Sequence, residues 1–156
     1  MGEKGEARKI IATNREARHR YEITDVYEAG IELQGTEVKS LRESKVVMSD
    51  AYVYVKNGEA FLSNMHINEY AFGNRENHEP LRTRKLLMHK AEISQLASAI
   101  QEKGRAVIPL CLYFKKGRAK VELGVGRGKK LHDKREASKE KDVKRQMAKA
   151  MKIAKR

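Results

Sequence analysis

Apolar and polar positions alternate most clearly in AYVYVKNGEAFLS, residues 51–63. Asn57-Gly58, in the middle of this run, supplies the positive φ angles of a tight turn, so the segment predicts a β-hairpin. A second hairpin is predicted where AVIPLCLYF and RAKVELGV flank Lys115-Lys116-Gly117. The first of those two runs is apolar enough to be buried on both faces. YEITDVYEAGIEL, residues 21–33, alternates only in part and is interrupted by Gly30, the pattern of a long bent or bulged strand.

The period changes to that of a helix in HKAEISQLASAIQEK, residues 89–103. Ile93, Leu96, Ala97 and Ile100 form one apolar stripe there, and Gly104 is a natural stop. GTEVKSLRES predicts one short helix, with Thr36 able to cap it and Val38, Leu41 and Arg42 on one side. Residues 64–85 read as loop, and residues 1–13 as a polar, frayed start. Antiparallel hairpins with helices inserted between them make the chain mainly β, and roughly six strands in a chain of this size fit a small closed or partly closed barrel.

Charge divides the chain. The net charge is +13. Residues 127–156 hold 13 Lys/Arg against 4 Asp/Glu, a net +9, and the other 126 residues hold 21 against 17. The anionic partner implied is a nucleic acid or a membrane surface, and charge does not choose between them. After Gly128 the sequence has no Gly, no Pro and no large apolar cluster, yet Val143, Met147, Ala150, Met151 and Ala154 recur at helical spacing. So thin a stripe cannot offset its own ordering entropy. The expectation is a barrel domain over residues 1–128 and a basic tail over 129–156, disordered when free and an amphipathic helix on its target. The longest apolar run, of about nine residues, is far short of the roughly 20 that span a bilayer, and the expected location is the cytoplasm.

The run GVGRGKKLHDKRE, residues 124–136, invites a nucleotide pocket. A phosphate loop needs four residues between its glycines and then Lys-Ser/Thr, and a dinucleotide fingerprint needs G-x-x-G after the first pair. Neither spacing is present. The expectation is that these glycines end the last strand and leave Arg127, Lys129 and Lys130 as mobile cations. Five scattered histidines and one cysteine, Cys111, lack metal-ligand spacing, so no metal or cofactor is expected. Cys111 lies inside an apolar run and reads as a small core residue. Glu22, Asp25, Glu28, Glu32 and Glu37 cluster in sequence, but solvent exposure accounts for them and no catalytic pair is argued. The stronger constellation is cationic. NREARHRY, residues 14–21, and RTRKLL, residues 82–87, bring Arg, Lys and a few aromatic or planar groups to loop edges, as RNA binding requires.

NREARHRYEI, EAGIELQGTEVKSLR, RTRKLLMHKAEI and IPLCLYFKKGRAKVELGVGRGKKLHDKRE follow one another in order. Together they resemble the SsrA-binding protein family (small protein B, SmpB) over about Asn14 to Glu136. The resemblance implies an antiparallel barrel of the oligonucleotide-binding (OB) type with added helices. It implies a non-enzymatic RNA-binding factor of trans-translation, whose partners are transfer-messenger RNA (tmRNA, or SsrA RNA) and the ribosome. The barrel would hold the tRNA-like domain of that RNA, with Asn14, Glu28, Arg82, Arg84, Lys85, Leu87 and Lys120 at the family's RNA-binding positions. Gly128, Lys129, Lys130, His132, Asp133, Lys134 and Arg135 would fall at the decoding centre of the small subunit. Met151 would belong to a tail helix in the empty message channel. Gly126 stands where the family often has alanine, and Arg127 where it often has lysine. Other readings remain open at this stage: a generic ribosomal or RNA-binding barrel without a rescue role, a nucleotide-dependent enzyme, and a membrane-surface role for the tail.

Overall fold

The computed structural model describes residues 7–129. In chain order the elements are β1 (Lys9–Thr13), α1 (Ala17–Arg20), β2 (Tyr21–Ile31), α2 (Gly35–Arg42), β3 (Val46–Val47), β4 (Tyr52–Lys56), β5 (Glu59–Ser63), β6 (His66–Ile67), β7 (Arg84–Leu87), α3 (Lys90–Gln101), β8 (Arg105–Lys115) and β9 (Arg118–Gly128). Six strands pair antiparallel in the order β8-β4-β5-β7-β2-β9, and β9 pairs back onto β8, so the ring closes. This is the expected OB-type barrel. Closure gives every strand of the ring a partner on both sides, although β4 meets β8 only at Val53 and Val107, and closing the ring is how small antiparallel sheets limit edge-to-edge association. β1 adds to β8 beside its last residues, and β3 and β6 form a separate short ladder.

Alternation fills the barrel. Ala29, Leu62, Leu86, Leu112, Val121 and Leu123 point inward, and Ile93 and Leu96 of α3 pack into the same core. Both hairpins have the turns the sequence calls for. Asn57 and Gly58 sit at φ 53° and 74°, and Lys116 and Gly117 at 53° and 74°. Paired left-handed residues match the strand twist, and glycine takes the second position without a steric cost.

Several details differ from the sequence reading. Residues 9–13 are not frayed; they are β1, held by β8 through pairs such as Ile10 with Tyr113. The irregularity in β2 falls between Ile23 and Asp25, whereas Gly30 pairs regularly with Leu87 on one side and Lys120 on the other. The loop over 64–85 contains β6 and a single 3-10 turn at 74–76, and it ends in β7. Glu37, not Thr36, caps α2, accepting the Gln34 backbone N–H at 2.8 Å; the Thr36 hydroxyl is 2.9 Å from His78 Nδ1. Gly124 and Gly126 do not end the last strand. They are buried inside β9, and a Cβ at 126 would lie 2.8 Å from Tyr21 Cβ, and one at 124 would lie 2.9 Å from Leu110 Cδ1. The glycines are there because Ala17, Ile108 and Leu110, with Tyr21 and Ile23, form a second small core on this outer face.

Candidate nucleic-acid interface

Cross-strand register puts Ile10, Tyr113, Lys120, Gly30 and Leu87 in one row across β1, β8, β9, β2 and β7. The neighbouring row holds Cys111, Glu122 and Glu28. Side chains two apart on a strand share a face, so Glu28 stands on the same outer surface as Lys120 and Leu87. A groove of about 520 Å³ lies here, with Glu28, Gly30, Leu87, His89 and Lys120 among its walls. Gly30 makes the groove possible: a Cβ at 30 would lie 3.2 Å from Leu87 Cβ. Leu87 itself is 54% exposed, an apolar side chain offered to solvent beside a lysine. Such a pairing suits a partner with both flat apolar faces and phosphates.

Glu28 is the electrostatic centre. It faces Glu122 directly across the β2–β9 ladder, an arrangement that is repulsive by itself. Three groups compensate for it. The Tyr113 hydroxyl donates to Glu28 Oε2, the Lys115 ammonium donates to Oε1 at 3.3 Å, and Arg8 bridges Glu28 at 3.3 Å and Glu122 at 3.2 Å. The Arg8 guanidinium also lies 4.5 Å over the Tyr113 ring. Burial alone would raise the Glu28 carboxyl, but the hydrogen bonds from Tyr113 and Lys115 and the charges of Lys115 and Arg8 outweigh it, and the group is held below the ordinary carboxylate range. Burial and the facing carboxylate push the Tyr113 phenol up, so it stays a donor. The result is a fixed anion with acceptor capacity left over, able to take a hydrogen bond from a base edge or a ribose hydroxyl.

The structure therefore gathers Glu28, Leu87 and Lys120 from three distant stretches of sequence. Lys85 lies on the outer face of β7, paired with Glu59 at 3.2 Å. Arg84 departs from the surface position expected for it. It is fully buried, its Nε donating to Glu37 and its other nitrogens to Met65 O at 2.7 Å and Pro80 O at 3.1 Å. The reason is alternation: Lys85 and Leu87 face out, so Arg84 and Leu86 face in. Arg82 is half-turned to the same carboxylate, at 2.6 Å. Glu37, expected at the surface, is the buried anion that holds both arginines. Asn14 is also buried and sits away from the Glu28 face, between α1, β4 and β8.

Gly128 ends β9, its N–H donating to Gly104 O at 2.8 Å, and the Lys129 N–H donates to Arg20 O at 3.0 Å. Along an extended strand, eight residues place Gly128 roughly 27 Å from Lys120. Lys130, His132, Asp133, Lys134, Arg135 and Met151 lie outside the described residues. Sequence reasoning did not find Arg8, Tyr113, Lys115 and Glu122, which complete the Glu28 cluster. Tyr113 and Lys115 carried one signal, their alternation with the inward-facing Leu112 and Phe114 at the end of a hairpin strand. Among the described residues, no group of three or more His, Cys, Asp or Glu could hold a metal ion, and no helix is long and apolar enough to cross a membrane.

Comparison with known proteins adds three findings. Residues 11–153 match the family described as SmpB protein. An SsrA-binding protein of Geobacter sulfurreducens is 58% identical over 143 residues, covering 92% of this chain and 94% of the relative, and one of Bacillus cereus is 55% identical over 142 residues, covering 91% and 92%. Among solved structures, a chain described under "tmRNA-SmpB: a journey to the center of the bacterial ribosome" superposes with a TM-score of 0.69 at 47% identity, covering 81% of this chain and 93% of that one.

Proposed function

Because the chain belongs to the SmpB protein family, we propose that it is an RNA-binding factor of trans-translation, which binds the tRNA-like domain of tmRNA and delivers it to stalled ribosomes. The convergence of Glu28, Leu87 and Lys120 on one outer face, around a glycine that leaves room for a ligand, carries this reading. On it, Leu87 packs against a flat base or ribose, Lys120 meets a phosphate, and Glu28 accepts a hydrogen bond. The work is recognition and placement, performed in the cytoplasm where ribosomes are found.

The second half of the proposal concerns the basic segment. Residues 129–156 would enter the message channel, with Lys129 to Arg135 at the decoding centre, where flexible cations gain from phosphate neutralisation. The roughly 27 Å between Lys120 and Gly128 supports two separable surfaces. Gel-shift titration of the tRNA-like domain, run beside a tagging assay on stalled ribosomes, tests the division. Glu28→Gln should weaken RNA binding about tenfold, the effect of one charge-assisted contact, and Leu87→Ala should weaken it by a similar factor through the apolar packing it removes. Replacing Asp133, Lys134 and Arg135 together by alanine should spare RNA binding and abolish tagging. If that triple change lost RNA binding, the division of labour would be wrong.

A further inference from the structure

Tyr113 is fully buried, yet it belongs to neither apolar core of the molecule. It stands on the outer face of β8, opposite Lys120, and its hydroxyl reaches across β9 to Glu28 on β2. Arg8, the residue before β1, covers one face of its ring, with the guanidinium carbon 4.5 Å from the ring centroid. The same guanidinium donates through Nη2 to Glu28 Oε2 at 3.3 Å and through Nη1 to Glu122 Oε2 at 3.2 Å.

Glu28 is thus held in two tiers. On the protein side are the Tyr113 hydroxyl and the Lys115 ammonium, whose side chain is only 7% exposed. On the solvent side is Arg8, whose side chain is 42% exposed. Both Arg8 contacts are longer than the roughly 2.7–2.9 Å of a tight charge-assisted bond. A surface pair of this kind stabilises little, and a guanidinium over an aromatic ring at an exposed site adds only modestly to it. Arg8 is therefore displaceable where Tyr113 and Lys115 are not.

While Arg8 is in place it closes the carboxylate to other partners. Glu28 Oε2 meets Tyr113, Arg8 and, at 3.5 Å, Lys115, so its lone pairs are already engaged. Arg8 also neutralises Glu122, which faces Glu28 across the ladder. A guanidinium is a flat group with N–H donors along its edge, so only a ligand group that itself donates can replace it. A phosphate, which only accepts, cannot.

We propose that Arg8 is an internal competitor at the Glu28 face: it holds Glu28 and Glu122 in the free protein and leaves them when the donors of a bound RNA take its place. Arg8 thereby sets the threshold that an RNA must pass. The proposal rests on the RNA-binding reading and concerns how that site is regulated, not which of its residues meet RNA.

Arg8→Lys tests this, because it keeps the charge but cannot bridge both carboxylates while lying flat on the ring. In gel-shift titrations of the tRNA-like domain of tmRNA by the full chain, Arg8→Lys should bind about fivefold tighter than the unaltered protein, the effect of releasing a loose surface pair and an exposed cation–π contact. Binding of inorganic polyphosphate, which offers no donor, should be equal for the two chains. In NMR spectra of the arginine-labelled full chain, the Arg8 side-chain protons, assigned by their absence in Arg8→Lys, should lie upfield, shielded by the Tyr113 ring. They should move to ordinary positions as the RNA domain is added. Weaker or unchanged RNA binding by Arg8→Lys would overturn the proposal. So would an equal tightening toward polyphosphate, which is a charge effect alone, or Arg8 signals that stay upfield with the RNA bound. Failure of the unaltered chain to bind the RNA domain would reject the parent reading and the proposal with it; normal binding with Arg8 still on Tyr113 rejects only the proposal.

Discussion

Replacing Arg84 by methionine tests the buried network most directly. Methionine roughly preserves the apolar length of the side chain, so little cavity is added. Glu37 then loses one of its three hydrogen-bond donors, retaining Arg82 at 2.6 Å and the Gln34 N–H at 2.8 Å. Met65 O and Pro80 O lose a charged donor as well. Removing one partner of a buried ion pair costs about 3–5 kcal/mol, and the surviving Arg82 contact places the expectation near the lower end, about 3–4 kcal/mol. That is a large fraction of the roughly 5–15 kcal/mol that stabilises a typical domain. For a urea m-value of about 2 kcal/mol/M the midpoint should fall by roughly 1.5–2 M, read by circular dichroism at neutral pH. Glu37→Gln should cost a similar amount, because it strands Arg84. The double change Glu37→Gln with Arg84→Met should cost less than the sum of the two single changes by about 2 kcal/mol or more, since it removes both charges of the pair at once. Single changes worth less than about 1 kcal/mol, or strictly additive ones, would refute the reasoning. The same network sets an acid limit. Burial would raise the Glu37 carboxyl, but hydrogen bonds from Arg82, the Gln34 N–H and Arg84 outweigh it and hold it below its ordinary 4.5. A lowered folded pKa contributes stability that is present above the ordinary value and lost as pH falls through the folded one, so unfolding should begin below about pH 4.5 and the Arg84→Met chain should show a shallower acid limb.

Glu28 should behave in the same sense, because its carboxyl is also held low: Glu28→Gln should flatten the acid limb of thermal melts while leaving the fold intact at neutral pH. Gly30→Val should fill the groove beside Leu87, weakening tmRNA binding in a gel shift while circular dichroism stays unchanged; unaltered affinity would show that the ligand does not enter there. Gly58→Ala, at φ 74°, should lower stability by about 1 kcal/mol, whereas Gly35→Ala, with open space around it and no positive φ, should not. RNA affinity should fall linearly with the logarithm of salt concentration, and Lys120→Ala should reduce that slope by about one phosphate's worth.

Much of this molecule is local, and the sequence carries it. Period-two alternation located both long hairpins, Asn57-Gly58 and Lys116-Gly117 set their turns, and the stripe Ile93-Leu96-Ala97-Ile100 set α3, because backbone geometry and side-chain alternation act over a few residues. The mixing of hairpins and helices pointed to a small barrel, and the ordered motifs to a family. Which residues meet was decided only by closure of the ring. Gly30 looked like an interruption until β7 and β9 pair on either side of it. Glu37 looked like one exposed carboxylate among five until residues 82 and 84, more than forty positions on, turn toward it. Arg84 and Lys85 are adjacent in one basic motif, yet one is a buried structural cation and the other an exposed one, because neighbours on a strand face opposite ways. Likewise Glu28, Tyr113, Lys115 and Arg8 become a cluster only through the β1–β8–β9–β2 register, and Asn14 is buried only where three elements meet. Such pairings depend on contacts between distant segments, whose loop-closure cost and burial are settled by the whole fold, and no window of sequence contains them.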